Sequence, residues 1–187
     1  MTKNRAVFLD RDGVLNAVTV VNGVPNPPHS VSEVIIPEDA LQSLQRLKSV
    51  GYQLIVVTNQ PDVVRGKTKK ETVEAINDYL KNKLPIDAIY VCYHDNFDDC
   101  DCRKPKPGLI THAAKTHQLD LSQSFMIGDR WKDIAAGNNA KCKTIFLDAS
   151  YGESIDRTVV ADYIVTSLNA ATNCILNERR SYNEKTC

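Results

Sequence analysis

The chain has 187 residues, 42% hydrophobic and 6% aromatic, and its 23 basic residues balance its 23 acidic ones. That length suits one domain burying roughly 70% of its unfolded surface, and zero net charge excludes the global basic field of a nonspecific nucleic-acid binder. The first apolar run, Ala6–Leu9, is too short for a membrane span or a signal-peptide core, so a cytoplasmic protein is expected, with no membrane or nucleic-acid partner.

Ala6–Leu9 reads as a first strand that runs into Asp10-Arg11-Asp12-Gly13. Residues two apart on a strand share a side, which would aim Asp10 and Asp12 at one point. Two like charges that close call for a cation or a shared proton. Alone, the segment also reads as a surface turn, because Asp-Gly is a turn pair. Residues 13–37 carry Gly, Asn and four prolines and read as an irregular loop. Apolar residues at Ala40, Leu41, Leu44, Leu47 and Val50 predict a helix over Glu38–Val50, closed by Gly51. Gln53–Thr58 is a continuous apolar strand of the kind buried on both faces in parallel sheets.

A charged amphipathic helix follows over Thr68–Lys83, a third strand over Ala88–Cys92, and a helix over Pro107–His117 with proline in its first turn. Ser124–Asp129 is a fourth strand, Trp131–Asn139 a helix, Lys143–Leu147 a fifth strand and Tyr163–Val165 a short sixth. The polar tail from Asn177, residues 177–187, is expected to fray. This alternation predicts an α/β fold, a Rossmann-like parallel sheet with helices on both faces in a single domain 1–187. In such sheets ligands bind at the carboxyl ends of the strands. Asp10, Asp12, Thr58, Cys92 and Asp129 all fall there.

Four segments in order supply the parts of phosphate-monoester chemistry: Asp10–Gly13, Thr58-Asn59-Gln60, Arg103–Gly108 and Gly128–Asp133. A carboxylate nucleophile splits one hard hydrolysis into two steps, and a second carboxylate can move the proton. Thr58 offers a hydroxyl, Lys104 a fixed positive charge, and Asp129 an oxygen ligand for Mg²⁺. Each segment alone has a plainer reading, as a strand end, a solvated lysine or a turn. Their joint order on strand ends is what carries the assignment.

Asp10-x-Asp12-Gly13-Val14, Thr58-Asn59, Lys104-Pro105 and Gly128-Asp129-x-x-x-Asp133 resemble the motifs of the haloacid dehalogenase superfamily of phosphatases, over roughly residues 5–170. The resemblance implies Asp10 as nucleophile and Asp12 as acid/base. It implies Mg²⁺ on the Asp10 and Asp129 carboxylates and the Asp12 carbonyl, with Asp133 orienting a metal-bound water. The stretch between Asp12 and Thr58 is too short for a cap domain, so an open site is expected, bordered by residues 17–37 and the loop after Cys92.

Six cysteines are present, three of them clustered. Cys92-x-His94 and Cys100-x-Cys102, with a short acidic spacer, form the ligand set of a closed structural Zn²⁺ site. Free cysteines in an acidic loop are the plainer reading. A zinc ion there would steady Arg103 and Lys104, which follow the last ligand directly.

Phe8–Gly13, Thr58-Asn59-Gln60 with Arg65-Gly66, and Cys102–Pro105 closely resemble the heptose bisphosphate phosphatases of bacterial surface-polysaccharide synthesis. The resemblance implies release of the 7-phosphate of D-glycero-D-manno-heptose 1,7-bisphosphate. Thr58 and Lys104 would stabilise the phosphoryl group, and Asn59, Arg65, Arg103 and Arg130 would bind the substrate. Pro61-Asp62 departs from that family's usual Ser-Gly. Histidinol-phosphate phosphatases share the fold and the zinc pattern and are the nearest rival. A non-catalytic zinc-stabilised binding module would be expected to lack Asp10, Asp12 or Asp129, and a polynucleotide phosphatase would want an aromatic-lined basic groove. With neutral net charge and no coiled-coil repeat, a monomer is expected.

Overall fold

The apolar runs assemble into one parallel sheet, and their alternating side chains divide the core into two layers. The computed structural model describes residues 4–21, 24–148 and 158–185. In chain order the elements are β1 (Arg5–Leu9), β2 (Thr19–Val21), β3 (Val24–Asn26), α1 (Ala40–Ser49), β4 (Tyr52–Asn59) and α2 (Lys70–Lys83), followed by β5 (Ala88–Cys92), α3 (Gly108–His117), β6 (Phe125–Gly128), α4 (Trp131–Asn139), β7 (Lys143–Leu147), β8 (Tyr163–Val165) and α5 (Leu168–Lys185). The main sheet has the order β5-β4-β1-β6-β7-β8, and every neighbouring pair in it is parallel.

From β1 the chain builds outward through β4 and β5, then returns to place β6, β7 and β8 on the other side. The order reverses between β1 and β6. Connections leave on opposite faces at that point and open a crevice at the carboxyl ends. Asp10 and Asp129 are the residues that immediately follow these two strands.

Side chains two apart on a strand share a face. Val7, Leu9, Leu54, Val56, Phe125 and Ile127 therefore pack beneath α1, α2 and α5 through Leu44, Leu47, Ile76, Leu80 and Ile175. Ala6, Phe8, Ile55, Val57 and Met126 face the other way, against Ile110 and Ala113 of α3 and Ala136 of α4. The expected doubly covered sheet is borne out.

Two expectations are corrected. Residues 13–37 are not wholly irregular: β2 and β3 pair antiparallel, with Val20 opposite Pro25, and a 3₁₀ turn follows at Val31–Glu33. Pro25 is compatible with a strand because this two-stranded ribbon has free edges, where a missing N–H breaks no ladder. Among the described residues no cap domain interrupts the stretch between β1 and α1. The second correction concerns the tail. Residues 177–185 continue α5, which begins at Leu168, and only 186–187 lie outside the described residues. Leu168, Ala171 and Ile175 are buried at helical spacing, and this first half, packed on α1, propagates the helix into the polar stretch.

If α5 is part of the core, Ile175→Ala should lower stability by about 2–5 kcal/mol, measured by denaturant unfolding. A change below about 0.5 kcal/mol, the size of an ordinary surface substitution, would show that the helix is dispensable.

Candidate active site

At the crevice three carboxylates gather around one ammonium. Asp10, Asp129 and Asp133 each place a carboxylate oxygen within 4.8 Å of the others. Lys104, 3% exposed, donates from Nζ to Asp10 Oδ1 at 2.6 Å and to the Val57 carbonyl at 2.8 Å. It also pairs with Asp133 Oδ1 at 2.6 Å. Burial alone would lower the Lys104 pKa, but Asp10 and Asp133 carry it above its ordinary value. Asp129 is treated differently: both its carboxylate oxygens are buried and neither has a hydrogen-bond partner. Burial, then the charges of Asp10 and Asp133, push its carboxyl up to about 9. Burial also lifts Asp10 to about 6, against the pull of Lys104.

A buried carboxylate without a partner costs free energy unless protonated or met by a cation. Hard divalent cations take such oxygens, so the donor set fits Mg²⁺. Two glycines make room for it. A Cβ on Gly13, whose φ is +94°, would lie 2.0 Å from Asp129 Oδ2, and one on Gly128 would lie 2.1 Å from Asp133 Cβ. Asp133 Oδ2 also accepts from the Arg130 N–H in a capping box that opens α4, which anchors the carboxylate at the helix start.

Asp12 lines the same cleft as Asp10, yet its carboxylate is engaged separately. β1 ends at Leu9, and the turn that follows aims Asp12 at four donor groups. Arg11 forks it, Nε to Oδ1 at 3.1 Å and a terminal nitrogen to Oδ2 at 3.0 Å. Asn16 donates to Oδ1 at 3.0 Å and Gln60 to Oδ2 at 2.7 Å. Burial presses this carboxyl up, but Arg11 and the hydrogen bonds outweigh it and hold it below its ordinary value. Asp10 and Asp12 are thus shifted in opposite directions by the different groups that each meets.

The cleft above them has a volume of ≈ 320 Å³. Thr58, Asn59, Arg65, Arg103, Lys104 and Arg130 all line it, as do Pro25–Pro27 of the β3 segment and Asn96 of the loop after β5. It therefore opens where the sequence predicted, between the 17–37 segment and the cysteine loop. Thr58 Oγ1 accepts from Gln60 Nε2 at 3.0 Å. Asn59 makes a reciprocal pair with the Lys104 backbone, donating to its carbonyl and accepting from its N–H, both at 3.1 Å. One amide N–H and the amide oxygen of Asn59 thus brace Lys104, and the residue lines the cleft as well. Arg65 is likewise committed: it forks Asp95, with Nε to Oδ2 at 2.7 Å, and also reaches Asp62. Arg103 donates to Asn96 Oδ1 and to the His94 carbonyl, and Arg130 to the Pro25 carbonyl at 3.4 Å. The roles of Arg11, Asn16 and Gln60 around Asp12 carry no sequence signal beyond their nearness to the motifs.

Away from the cleft, Cys92, His94, Cys100 and Cys102 converge. Cys102 Sγ lies 3.2 Å from Cys92 Sγ and from His94 Nδ1, Cys92 Sγ 3.6 Å from His94 Nδ1, and Cys92 Sγ 3.9 Å from Cys100 Sγ. Tetrahedral coordination at a Zn–S length of about 2.3 Å sets S···S edges of about 3.8 Å. The four donors lie near those edges, and the cysteines are not in disulfides. The Asp101 carbonyl, between the last two cysteines, accepts from the Gly108 N–H at the start of α3, where a Cβ would lie 2.1 Å from that oxygen.

Residues 101–171 match the family model described as HAD-hydrolase-like. The chain is 40% identical over 153 residues to the D-glycero-β-D-manno-heptose-1,7-bisphosphate 7-phosphatase of Helicobacter pylori strain 26695, spanning 79% of this chain and 85% of that protein. It is 31% identical to a D-glycero-α-D-manno-heptose-1,7-bisphosphate 7-phosphatase of Photorhabdus laumondii, over 78% of this chain and 82% of that one. Among solved structures it resembles the D,D-heptose 1,7-bisphosphate phosphatase of B. bronchiseptica, complexed with magnesium and phosphate. That match has a TM-score of 0.80 at 28% identity and covers 93% of this chain and 99% of that one.

The raised carboxyls set a pH dependence. Folded Asp10 and Asp129 hold protons up to about 6 and about 9, whereas both release them near 3.8 when unfolded. Without a divalent cation, their stabilising contribution is complete below about pH 4 and is lost as pH rises through those two values. Added Mg²⁺ should therefore raise the thermal midpoint more at about pH 8 than at about pH 5. An equal gain at both would refute the carboxylate site.

Proposed function

The chain belongs to the heptose-1,7-bisphosphate 7-phosphatase family of HAD-like phosphoric monoester hydrolases, and we propose that it removes the 7-phosphate of D-glycero-D-manno-heptose 1,7-bisphosphate, preferring the β anomer. The observation that carries this reading is the unpaired, buried Asp129 carboxylate beside Asp10, whose one ammonium partner is Lys104. That arrangement presents a nucleophile and a cation site to one phosphoryl group. The β preference is supported by the 40% identity to a relative named for the β anomer, against 31% to one named for the α anomer.

Mg²⁺ would be held by Asp10, Asp129 and the Asp12 carbonyl, with Asp133 close by, and when bound it supplies positive charge to the phosphoryl oxygens. Asp10 attacks phosphorus and forms an aspartyl phosphate. Lys104, neutralised by neither carboxylate alone, favours the ionised form of Asp10 and stabilises charge on the transferring group. Thr58 binds a phosphoryl oxygen. Asp12, which enters the cycle as a carboxylate, takes a proton from the monoanionic phosphoryl group of the bound substrate and gives it to the departing sugar oxygen; it then takes one from the water that attacks the intermediate and returns it to the released phosphate. Arg103 and Arg130 both line the cleft and would meet the sugar and the phosphate that is retained.

We assign Cys92, His94, Cys100 and Cys102 to a structural zinc. The donor distances support it, and so does the position of Arg103 and Lys104 directly after Cys102. Four protein ligands leave no open coordination position, which argues against a catalytic role. A monomer acting in the cytoplasm goes with this reading. The unpaired thiols suit a reducing compartment, and no described helix is long and apolar enough to cross a membrane.

Asp10→Asn should lower phosphate release by at least about 10³-fold while leaving the unfolding transition in place; retained turnover would sink the aspartyl-phosphate mechanism. Phosphate release from the two heptose bisphosphate anomers and from histidinol phosphate settles the substrate, and faster release from histidinol phosphate would overturn the assignment. Metal analysis of the purified chain should find about one dialysis-resistant zinc per four-ligand site. Cys102→Ser should lose it together with activity, and a zinc-free wild-type protein with reduced thiols would exclude the site.

A further inference from the structure

Arg11 is the largest of the fully buried side chains, at 1% exposure, and it does not line the cleft. A buried guanidinium is costly unless its donors are matched, and here each matched donor leads toward the site or braces it. Two donate to the Asp12 carboxylate. The third contact runs the other way, from a terminal nitrogen to Asn77 Oδ1 at 2.9 Å. Asn77 lies on the buried face of α2 with Val73, Ile76 and Leu80, a helix that supplies nothing to the cleft. On the far side of Asp12, the single Gln60 amide nitrogen donates both to Asp12 Oδ2 and to Thr58 Oγ1. The result is a continuous polar chain from α2 to the phosphoryl-facing hydroxyl: Asn77, Arg11, Asp12, Gln60, Thr58.

We infer that Arg11 and Asn77 are positioning residues that act through Asp12, with α2 as the rigid support that fixes where the acid/base carboxylate lies. This rests on the assignment of Asp12 as the acid/base. The geometry explains why an arginine is kept where an apolar side chain would pack as well. A planar fork sets both the position and the plane of the carboxylate, and the Asn77 oxygen in turn sets the plane of the fork. Polar partners of this kind orient a functional group without touching substrate.

The step that should feel a misplaced Asp12 is proton delivery to the sugar oxygen as its bond to phosphorus breaks. A p-nitrophenolate group leaves without that proton. Both substrates yield the same aspartyl phosphate, so a defect before it appears in kcat/KM and is confined to the sugar. In the Mg²⁺-loaded full chain, Asn77→Leu removes the acceptor at similar volume and Asn77→Asp retains one. We expect Asn77→Leu to lower kcat/KM on the heptose bisphosphate by about ten-fold or more, a share of the 10²–10⁴ that proton transfer contributes. On p-nitrophenyl phosphate the change should stay within about two-fold, and Asn77→Asp should restore the sugar reaction.

Arg11→Lys, which keeps the charge and loses the fork, gives the same readout should Asn77→Leu not fold. Equal losses on both substrates mean a merely structural role and overturn the inference, as does no loss on either. Asp12→Asn is run beside them. If it retains sugar turnover, the acid/base assignment itself fails; if it discriminates between the two leaving groups while neither Asn77→Leu nor Arg11→Lys does, the positioning role alone fails.

Discussion

Three buried carboxylates facing one buried ammonium is the constraint on which the rest of this molecule depends. Lys104 bridges Asp10 and Asp133, and Asp129 is left with no protein partner. Burying unmatched charge in a protein interior is tolerated only when a proton or a cation completes it. The fold therefore carries a deficit of positive charge at one point, the switch point where a parallel sheet already opens a crevice. Glycines at 13 and 128 remove the side chains that would fill that space.

The surroundings serve to keep that cluster still. Lys104 arrives on the loop after Cys102 and is pinned by the Asn59 amide through its backbone and by the Val57 carbonyl through its ammonium. The cysteine-histidine cluster ties the same loop at its base, and Gly108 joins that loop to α3 by a contact that only a glycine permits. Arg65 and Arg103 fasten the same loop through Asp95, Asn96 and the His94 carbonyl. A polar, acidic loop with little apolar surface of its own thus becomes a wall of the site by ion pairing and hydrogen bonding, because burial is not available to order it.

How much could be read in advance follows from the range of the forces. Strands such as Gln53–Thr58 were legible because a run buried on both faces must be continuously apolar, and the residues that end those runs marked the crevice. The β2–β3 ribbon was hidden because Pro25 reads as a loop signal, and the sequence does not show that its strand would have free edges. The helix over 168–185 was hidden because its apolar positions are few and its second half is polar; contact with α1 decides it. The contacts of Arg65 with Asp95 and of Asn59 with Lys104 carry no sequence signal, because those partners lie 30 and 45 residues further along the chain.

Side-chain periodicity and residue type at short spacing specify the sheet, the order of the chemical groups on its strand ends and the Cys-x-His and Cys-x-Cys pairs of the loop after β5. Contacts made on folding decide which carboxylate is left without a hydrogen bond and which is held below its ordinary pKa. Asp10, Asp12 and Asp129 are the same chemical group, and what separates them is the partner each meets after folding: Lys104 for the first, the Arg11 fork for the second, and no hydrogen-bond donor for the third. Electrostatic energy in a low-dielectric crevice depends on distances of a few ångströms, and only the folded chain sets them, whether the partner is remote, as Lys104 is from Asp10, or adjacent and turned inward, as Arg11 is to Asp12.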